Sequence, residues 1–339
     1  MPTLPAVKQF VSSNAVRIYR IPCRVFEHLT ARVYLLLGAG PPTLVDTGSG
    51  SGESTRDILA GLETVRTEFG EPVRPGDLRR IIITHGHVDH VGGLWELRQV
   101  TQADVAIHPL DCRAITAPDE RAAVGKRRML DFLKRAGLLP EESAQLVEQI
   151  GYRRRGRERI PAAIEITDER ELEGLKFIHT PGHSPGHVCI AVGDVLLSAD
   201  HILARTIPQL WPESLMPYTG LGHYLESLDK VRRIDGLNLA LAGHEPVIHD
   251  LCGRIETIRA SHERRLDRLL DIVRKSCRPL SISEISRTMY STKRGFDAVL
   301  ALTDVGARVE YLHQRGRLPA ANLDEIETEE NPVGRYCVV

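Results

Sequence analysis

Thr84-His85-Gly86-His87-Val88-Asp89-His90-Val91-Gly92-Gly93 decides how this chain is read. Three histidines and an aspartate fall within residues 85–90. They follow the fully apolar strand pattern Ile81-Ile82-Ile83 and precede a stretch, 91–100, that reads as a helix. The carboxyl end of a strand is where α/β proteins place their chemistry. Neutral imidazoles with a carboxylate suit zinc and similar borderline ions. His85 and His87 lie two apart in extended chain and point the same way, whereas Asp89 and His90 fall in the turn toward the helix and point elsewhere. One loop can therefore feed two adjacent metal positions, each needing further donors from downstream.

The donors follow. Thr180-Pro181-Gly182-His183-Ser184-Pro185-Gly186-His187 comes after a strand pattern at 175–178. Ser198-Ala199-Asp200 comes after one at 195–197, and a carboxylate there can bridge two ions. Ala242-Gly243-His244-Glu245-Pro246 comes after one at 239–242.

This ordered series, with Leu44-Val45-Asp46-Thr47-Gly48 upstream, resembles the metallo-β-lactamase superfamily over roughly residues 14–250. The resemblance implies an α/β fold, an αββα sandwich, holding two divalent metal ions. His85, His87 and His183 would hold one ion, and Asp89, His90 and His244 the other, with Asp200 between them. Asp46 would orient the cluster loop from behind. Zinc is the expected metal, and the same donors accept iron or manganese. Ala199 stands where the family usually has glycine. Residues 243–249, a long helix containing Ser261-His262-Glu263-Arg264-Arg265, and the segment beyond it look like one branch. That branch comprises the lactamase-β-like and hydroxyacylglutathione hydrolase-like proteins, with a C-terminal winged-helix domain. The terminal helices carry no match to the basic glutathione-binding residues of glyoxalase II.

The expected organisation is a metallo-β-lactamase domain at 1–251, a winged-helix-like domain at 252–318 and a tail at 319–339 without assigned structure. A helical, charged stretch at 118–157 interrupts the strand rhythm and reads as a cap insertion. Ser281 followed by Glu284 predicts a capping box, and 295–314 predicts a further helix.

Net charge is −1, which gives no global attraction to nucleic acid or anionic membrane. No apolar run reaches the roughly 18 to 20 residues that span a bilayer, and the amino-terminal residues show no signal-peptide pattern. The cysteines at 23, 112, 189, 252, 277 and 337 form no Cys-x-x-Cys pair and read as reduced thiols, so the expected location is the cytoplasm. Oligomeric state is not legible.

Two cations sharing a water would lower its pKa and supply hydroxide for attack on an ester, thioester or lactone carbonyl of a small molecule. Asp89 is the expected catalytic proton acceptor. One alternative is an endoribonuclease or phosphodiesterase, suggested by 14 Lys and Arg against 8 Asp and Glu between Arg254 and Arg317. Another is a metal-binding regulator that reads DNA, against which the complete ligand set argues. His187 reads as a structural histidine of the loop, and His201 as substrate contact or ligand support. Tyr218, with Trp211 and Tyr224, is a candidate pocket wall. The arginines between 153 and 159 read as a solvated face, Trp95 as helix packing, and His179 and His249 as structural.

Overall fold

The computed structural model describes residues 4–151 and 154–338. Strands β1 (Lys8–Val11), β2 (Arg17–Phe26), β3 (Leu29–Leu37) and β4 (Thr43–Val45) lead to helix α1 (Ser54–Glu68). Strand β5 (Arg80–Ile83), helices α2 (Val88–Val91) and α3 (Leu94–Leu97), strand β6 (Asp104–Ile107) and helix α4 (Arg113–Thr116) come next. Helices α5 (Pro118–Arg135) and α6 (Pro140–Ile150) follow. Then come β7 (Ile164–Glu165), β8 (Glu171–Leu172), β9 (Leu175–His179), β10 (Val188–Val192) and β11 (Val195–Ala199). Helix α7 (Leu221–Arg232), strand β12 (Leu239–Ala242) and helix α8 (Leu251–Lys275) precede β13 (Leu280–Ser281) and α9 (Ile282–Met289). The chain closes with α10 (Gly295–Gln314), α11 (Leu323–Thr328) and β14 (Arg335–Tyr336).

Strands β1 to β7 form one sheet in sequence order; β12-β11-β10-β9-β8 form a second. Alternation along β2 and β3 sorts their side chains onto two faces. Ile18, Tyr34 and Leu36 join Phe177, Ile190, Leu197 and Leu241 in a core between the sheets. Tyr19, Ile21, Val33 and Leu35 pack under Ile58, Leu62 and Val65 of α1, with Leu94, Leu97 and Ile115 beside them. Helix, sheet, sheet is thus built on period-2 strands and a period-3.6 helix stripe, and the fold is that of the expected metallo-β-lactamase sandwich. No described helix is long and apolar enough to cross a membrane.

The chain divides into two compact units. The first, residues 1–118, 157–208 and 227–255, contains both large sheets. The second gathers 119–156, 209–226 and 256–339. The stretches expected as a cap at 118–157, a winged-helix-like domain at 252–318 and a tail at 319–339 fall, apart from residues 118, 157 and 252–255, in this second unit. They are tied by contacts too distant in sequence for local pattern to show. Ala136 accepts the Ser283 N–H, Arg287 pairs with Glu142 at 3.1 Å, and Arg135 accepts the Gly334 N–H. The tail supplies α11 and β14, and β14 pairs with β13. Ser281 caps α9 through Glu284 as predicted. The helix expected at 91–100 is split into α2 and α3. The insertion is two helices, with no helix or strand among the described residues 154–163. Tyr152 and Arg153 of its arginine run lie outside the described residues. Arg154, Arg155 and Arg159 are exposed, while Arg157 lies 4.3 Å over the Trp95 ring.

Candidate metal centre

The donors arrive from loops at the ends of β5, β9, β11 and β12. His85, His87 and His183 offer one atom each, all within 4.8 Å of one another. Asp89, His90 and His244 do the same, and so do His85, His90 and Asp200. His85 Nε2 lies 3.1 Å from His87 Nδ1. His244 Nε2 lies 3.4 Å from Asp89 Oδ2 and 3.5 Å from Asp200 Oδ2. The remaining Asp200 contacts are to His183 Nε2 at 3.7 Å and, through Oδ1, to His90 Nε2 at 3.4 Å. The seven candidates therefore form two three-donor groups with Asp200 reaching toward both.

The donor set fits divalent metal. His90 Nε2 and Asp200 Oδ1 are buried and make no hydrogen bond, an arrangement costly unless something else satisfies them. Burial alone would raise the Asp200 carboxyl, but His244 and His90 outweigh it and hold it well below the usual range. Burial also works against ionisation of Asp89, yet the bond from His244 and the charge of His90 hold it at about 2. His85 is pushed well down by burial and by the neighbouring His90 and His87, so it presents a neutral imidazole.

Groups behind the donors fix their rings. His90 Nδ1 lies 2.7 Å from Asp46 Oδ2, and Asp46 also accepts the Thr84 N–H and hydroxyl. His244 Nδ1 donates to the Thr30 carbonyl at 2.9 Å. Such partners set tautomer and orientation. His187 is fully buried, with Nδ1 2.8 Å from Thr180 Oγ1, and its Nε2 accepts the Asp200 N–H at 3.2 Å. Burial and the neighbouring His201 and His183 push its pKa well down, which suits an acceptor. His187 thus holds the backbone of the bridging candidate. His201 is buried, and burial lowers its pKa to about 3.

Tyr218, Trp211 and Tyr224 belong to the second unit. Tyr218 is half exposed with its ring 5.9 Å from His223, and Tyr224 is buried edge-on to His262. None of the three joins the donor groups. His179 stacks on His108 and its Nε2 lies 2.8 Å from the Pro185 carbonyl, and His249 is exposed.

Sequence reasoning missed Asp111. Its Oδ2 accepts the Gly86 N–H at 2.8 Å and the Ser184 hydroxyl at 2.8 Å. Gly86 lies between His85 and His87, and Ser184 follows His183. The only available signal was an acid shortly after β6.

Glycine explains the close packing. A Cβ on Gly92 would meet the Ser49 carbonyl at 2.2 Å, and one on Gly93 the Thr47 carbonyl at 2.0 Å. The Asp46 loop lies directly on α2 there, donating Thr47 N–H to the His90 carbonyl. A Cβ on Gly243 would sit 2.6 Å from Asp200 Oδ1 and 2.8 Å from His90 Cε1. Asp46, Ala199 and Glu245 take positive φ of 63°, 42° and 65°. Backbone strain of this kind collects at functional sites.

Comparison with known proteins places this geometry. The family model described as "Metallo-beta-lactamase superfamily" matches residues 29–244. The chain is 23% identical over 320 residues to the "Beta-lactamase-like protein 2 homolog" of Drosophila melanogaster, covering 94% of each. It is 21% identical over 306 residues to the "Atrochrysone carboxyl ACP thioesterase" of Aspergillus chevalieri, covering 86% of this chain and 78% of that one. A solved metallo-beta-lactamase family protein from Thermus thermophilus aligns with a TM-score of 0.72 and 25% identity, over 95% of this chain and 98% of the other. With the family model spanning more than half the sequence and the donor groups falling inside it, this chain belongs to the metallo-beta-lactamase superfamily.

Proposed function

We propose that the chain is a dinuclear metal-dependent hydrolase acting on an ester, thioester or lactone carbonyl of a small molecule in the cytoplasm. The observation that carries this reading is the pair of three-donor groups, with Asp200 contacting His183 of one and His90 and His244 of the other. His85, His87 and His183 would hold one ion; Asp89, His90 and His244 the second; Asp200 both. A bound pair of divalent ions, zinc first by donor chemistry, would lower the pKa of water toward neutrality and polarise a carbonyl oxygen.

The chain's own groups do the rest. Asp46 and the Thr30 carbonyl keep His90 and His244 aimed, and His187 steadies Asp200 by accepting its N–H. Asp89 Oδ2, facing His244 Nε2, accepts the proton released on attack. A similarity to a protein named as a carboxyl ACP thioesterase supports the carbonyl-ester class. All six cysteines are free thiols, which supports a reducing compartment.

The β13–β14 pair and the Ser281-capped α9 support a winged-helix-like reading of the terminal segment, used for packing. A DNA-reading helix needs a free face. The middle of α10, from Ala301 to Val309, is buried all round. That favours a small-molecule substrate over nucleic acid.

The test is elemental analysis of the purified chain beside hydrolysis of thioesters, lactones, β-lactams, phosphodiesters and short RNA. Two metal ions per chain, with thioester or lactone turnover lost in Asp89→Ala, is the expected result. RNA cleavage that disappears in Asp89→Ala, without ester turnover, would replace this reading with a nuclease. One ion per chain, unchanged in Asp200→Ala, would remove the dinuclear centre.

A further inference from the structure

Arginines on the first sheet are, with two exceptions, matched to acids. Arg17 pairs with Glu71, Arg24 with Asp57 and the buried Arg80 with Glu173. Arg20 of β2 and Arg32 of β3 have no carboxylate within ion-pair distance among the described residues. Strand register places Arg20 opposite Tyr34 and Arg32 opposite Pro22. The two arginines are therefore diagonal neighbours on one face, within reach of each other's long side chains. That face is the one on which Ile18, Tyr34 and Leu36 enter the core between the sheets.

Arg20 is buried and Arg32 partly buried. Arg20 is only 8% exposed, and its one recorded partner is the Phe10 ring at 5.6 Å. Arg32 donates through one terminal nitrogen to its neighbour's carbonyl at Ala31, while its Nε is buried without a hydrogen bond. Burial and the charge of Arg20 both push the Arg32 pKa down, so the two groups oppose each other. Cys23 offers no counter-charge, since burial pushes its thiol up to about 12. Two like charges held this close, with the buried Arg32 Nε–H unspent and no carboxylate at hand, are stabilised by an anion between them.

We propose that Arg20 and Arg32 form an oxyanion subsite taking the phosphate or carboxylate group of a small molecule. Guanidinium donors suit both groups through paired, charge-assisted hydrogen bonds. The strand carrying Arg32 also holds the edge of the metal loops. Arg32 N–H donates to the Gly243 carbonyl at 2.7 Å, Tyr34 to the Ala242 carbonyl at 2.6 Å, and the Thr30 carbonyl takes His244 Nδ1. Filling the subsite steadies the strand on which His244 is hung. The occupant is either the anionic tail of a substrate or free phosphate.

The test is thermal unfolding of the full chain in inorganic phosphate against chloride, at matched ionic strength and constant pH. It is run on the protein as purified and after chelator treatment. Wild type is expected to gain about 3 °C or more from phosphate in both forms. The variants R20Q and R32Q should lose that gain while unfolding in chloride no lower than wild type, because each removes one of two opposed charges. A wild-type chain that gains no more from phosphate than from chloride overturns the proposal. So does a gain that R20Q and R32Q retain, or one abolished by chelation, which would place the anion on the metals. The readout needs no turnover, so it stands apart from the proposed hydrolysis, on which only the choice of occupant rests. A KM raised about tenfold in R32Q for a carboxylate-bearing ester but not its neutral analogue identifies the substrate tail. Equal KM values beside a lost phosphate gain identify free phosphate.

Discussion

Ser184 donates its hydroxyl to the Asp111 carboxylate at 2.8 Å, joining the β9–β10 loop to the segment behind β6. Because the same oxygen takes the Gly86 N–H, one buried acid secures both loops that bear His85, His87 and His183. Asp111→Ala leaves two buried donors without an acceptor, a cost of roughly 2–4 kcal/mol. The expected outcome is weaker metal retention at the three-histidine group, read by chelator competition, with a folded circular-dichroism spectrum. Asp111→Asn keeps one acceptor oxygen and should recover most of the affinity. Equal metal retention in wild type and Asp111→Ala would reduce Asp111 to ordinary loop structure.

Gly243 leaves no room for a side chain. Gly243→Ala inserts a methyl group against Asp200 Oδ1 and His90 Cε1, so the carboxylate must swing away from its place between the groups. Turnover should fall by about a hundredfold or more, since misplacement by about an ångström is enough. Metal content of the second group should fall with it. Near wild-type rates would show that the loop moves aside at little cost.

Ala199 carries φ of 42° immediately before Asp200. Glycine adopts this conformation freely, whereas a β-branched residue meets a steep penalty. Ala199→Gly should therefore be within about 1 kcal/mol of wild type, relieved strain offsetting added chain entropy. Ala199→Val should cost about 2 kcal/mol or more. Urea midpoints of the two variants test the ordering, and a Val variant as stable as the Gly variant would remove strain from the account.

In the second unit, His262 Nδ1 lies 3.1 Å from an Arg308 nitrogen. Burial, then the charges of Arg308 and Arg265, push its pKa down to about 2. An unfolded histidine titrates near 6.5. Below that pH the unfolded chain binds a proton that the folded chain refuses. The stability from neutral His262 is complete above about pH 6.5 and is lost as pH falls toward 2, at up to about 1.4 kcal/mol per pH unit. Glutamine can accept the Arg308 hydrogen bond without titrating. His262→Gln should therefore gain on wild type steadily between pH 7 and pH 5, in unfolding midpoints measured side by side. Parallel midpoints across that range would refute it.

The candidate donors were legible because chemistry and strand ends coincide in sequence: each of the seven follows an apolar run that folds as a strand. The Asp46 role was legible through the family resemblance. Asp111 was not, because one acid beyond a strand looks like any polar loop residue until Gly86 and Ser184 are seen to converge on it. Gly92 and Gly93 broke a helix that hydrophobic spacing alone predicted as continuous, since their backbone is needed against Thr47 and Ser49. The second unit was the least legible part. Its helices were found, but Arg287–Glu142 and Gly334–Arg135 span stretches of chain that no local pattern connects.

The donors are strewn from residue 85 to residue 244, so neither three-donor group is complete until the chain has been made past its middle. While the protein is still on the ribosome, the emerging loop from His85 to His90 lacks His183, Asp200 and His244 and has no second sheet beneath it. Ion capture by the completed groups would therefore follow, rather than seed, the pairing of the strands that carry them. Strand pairing must succeed on hydrophobic contacts alone before a cation can fasten the result. In that order of events, stable ion uptake certifies that distant parts of the chain have already found one another.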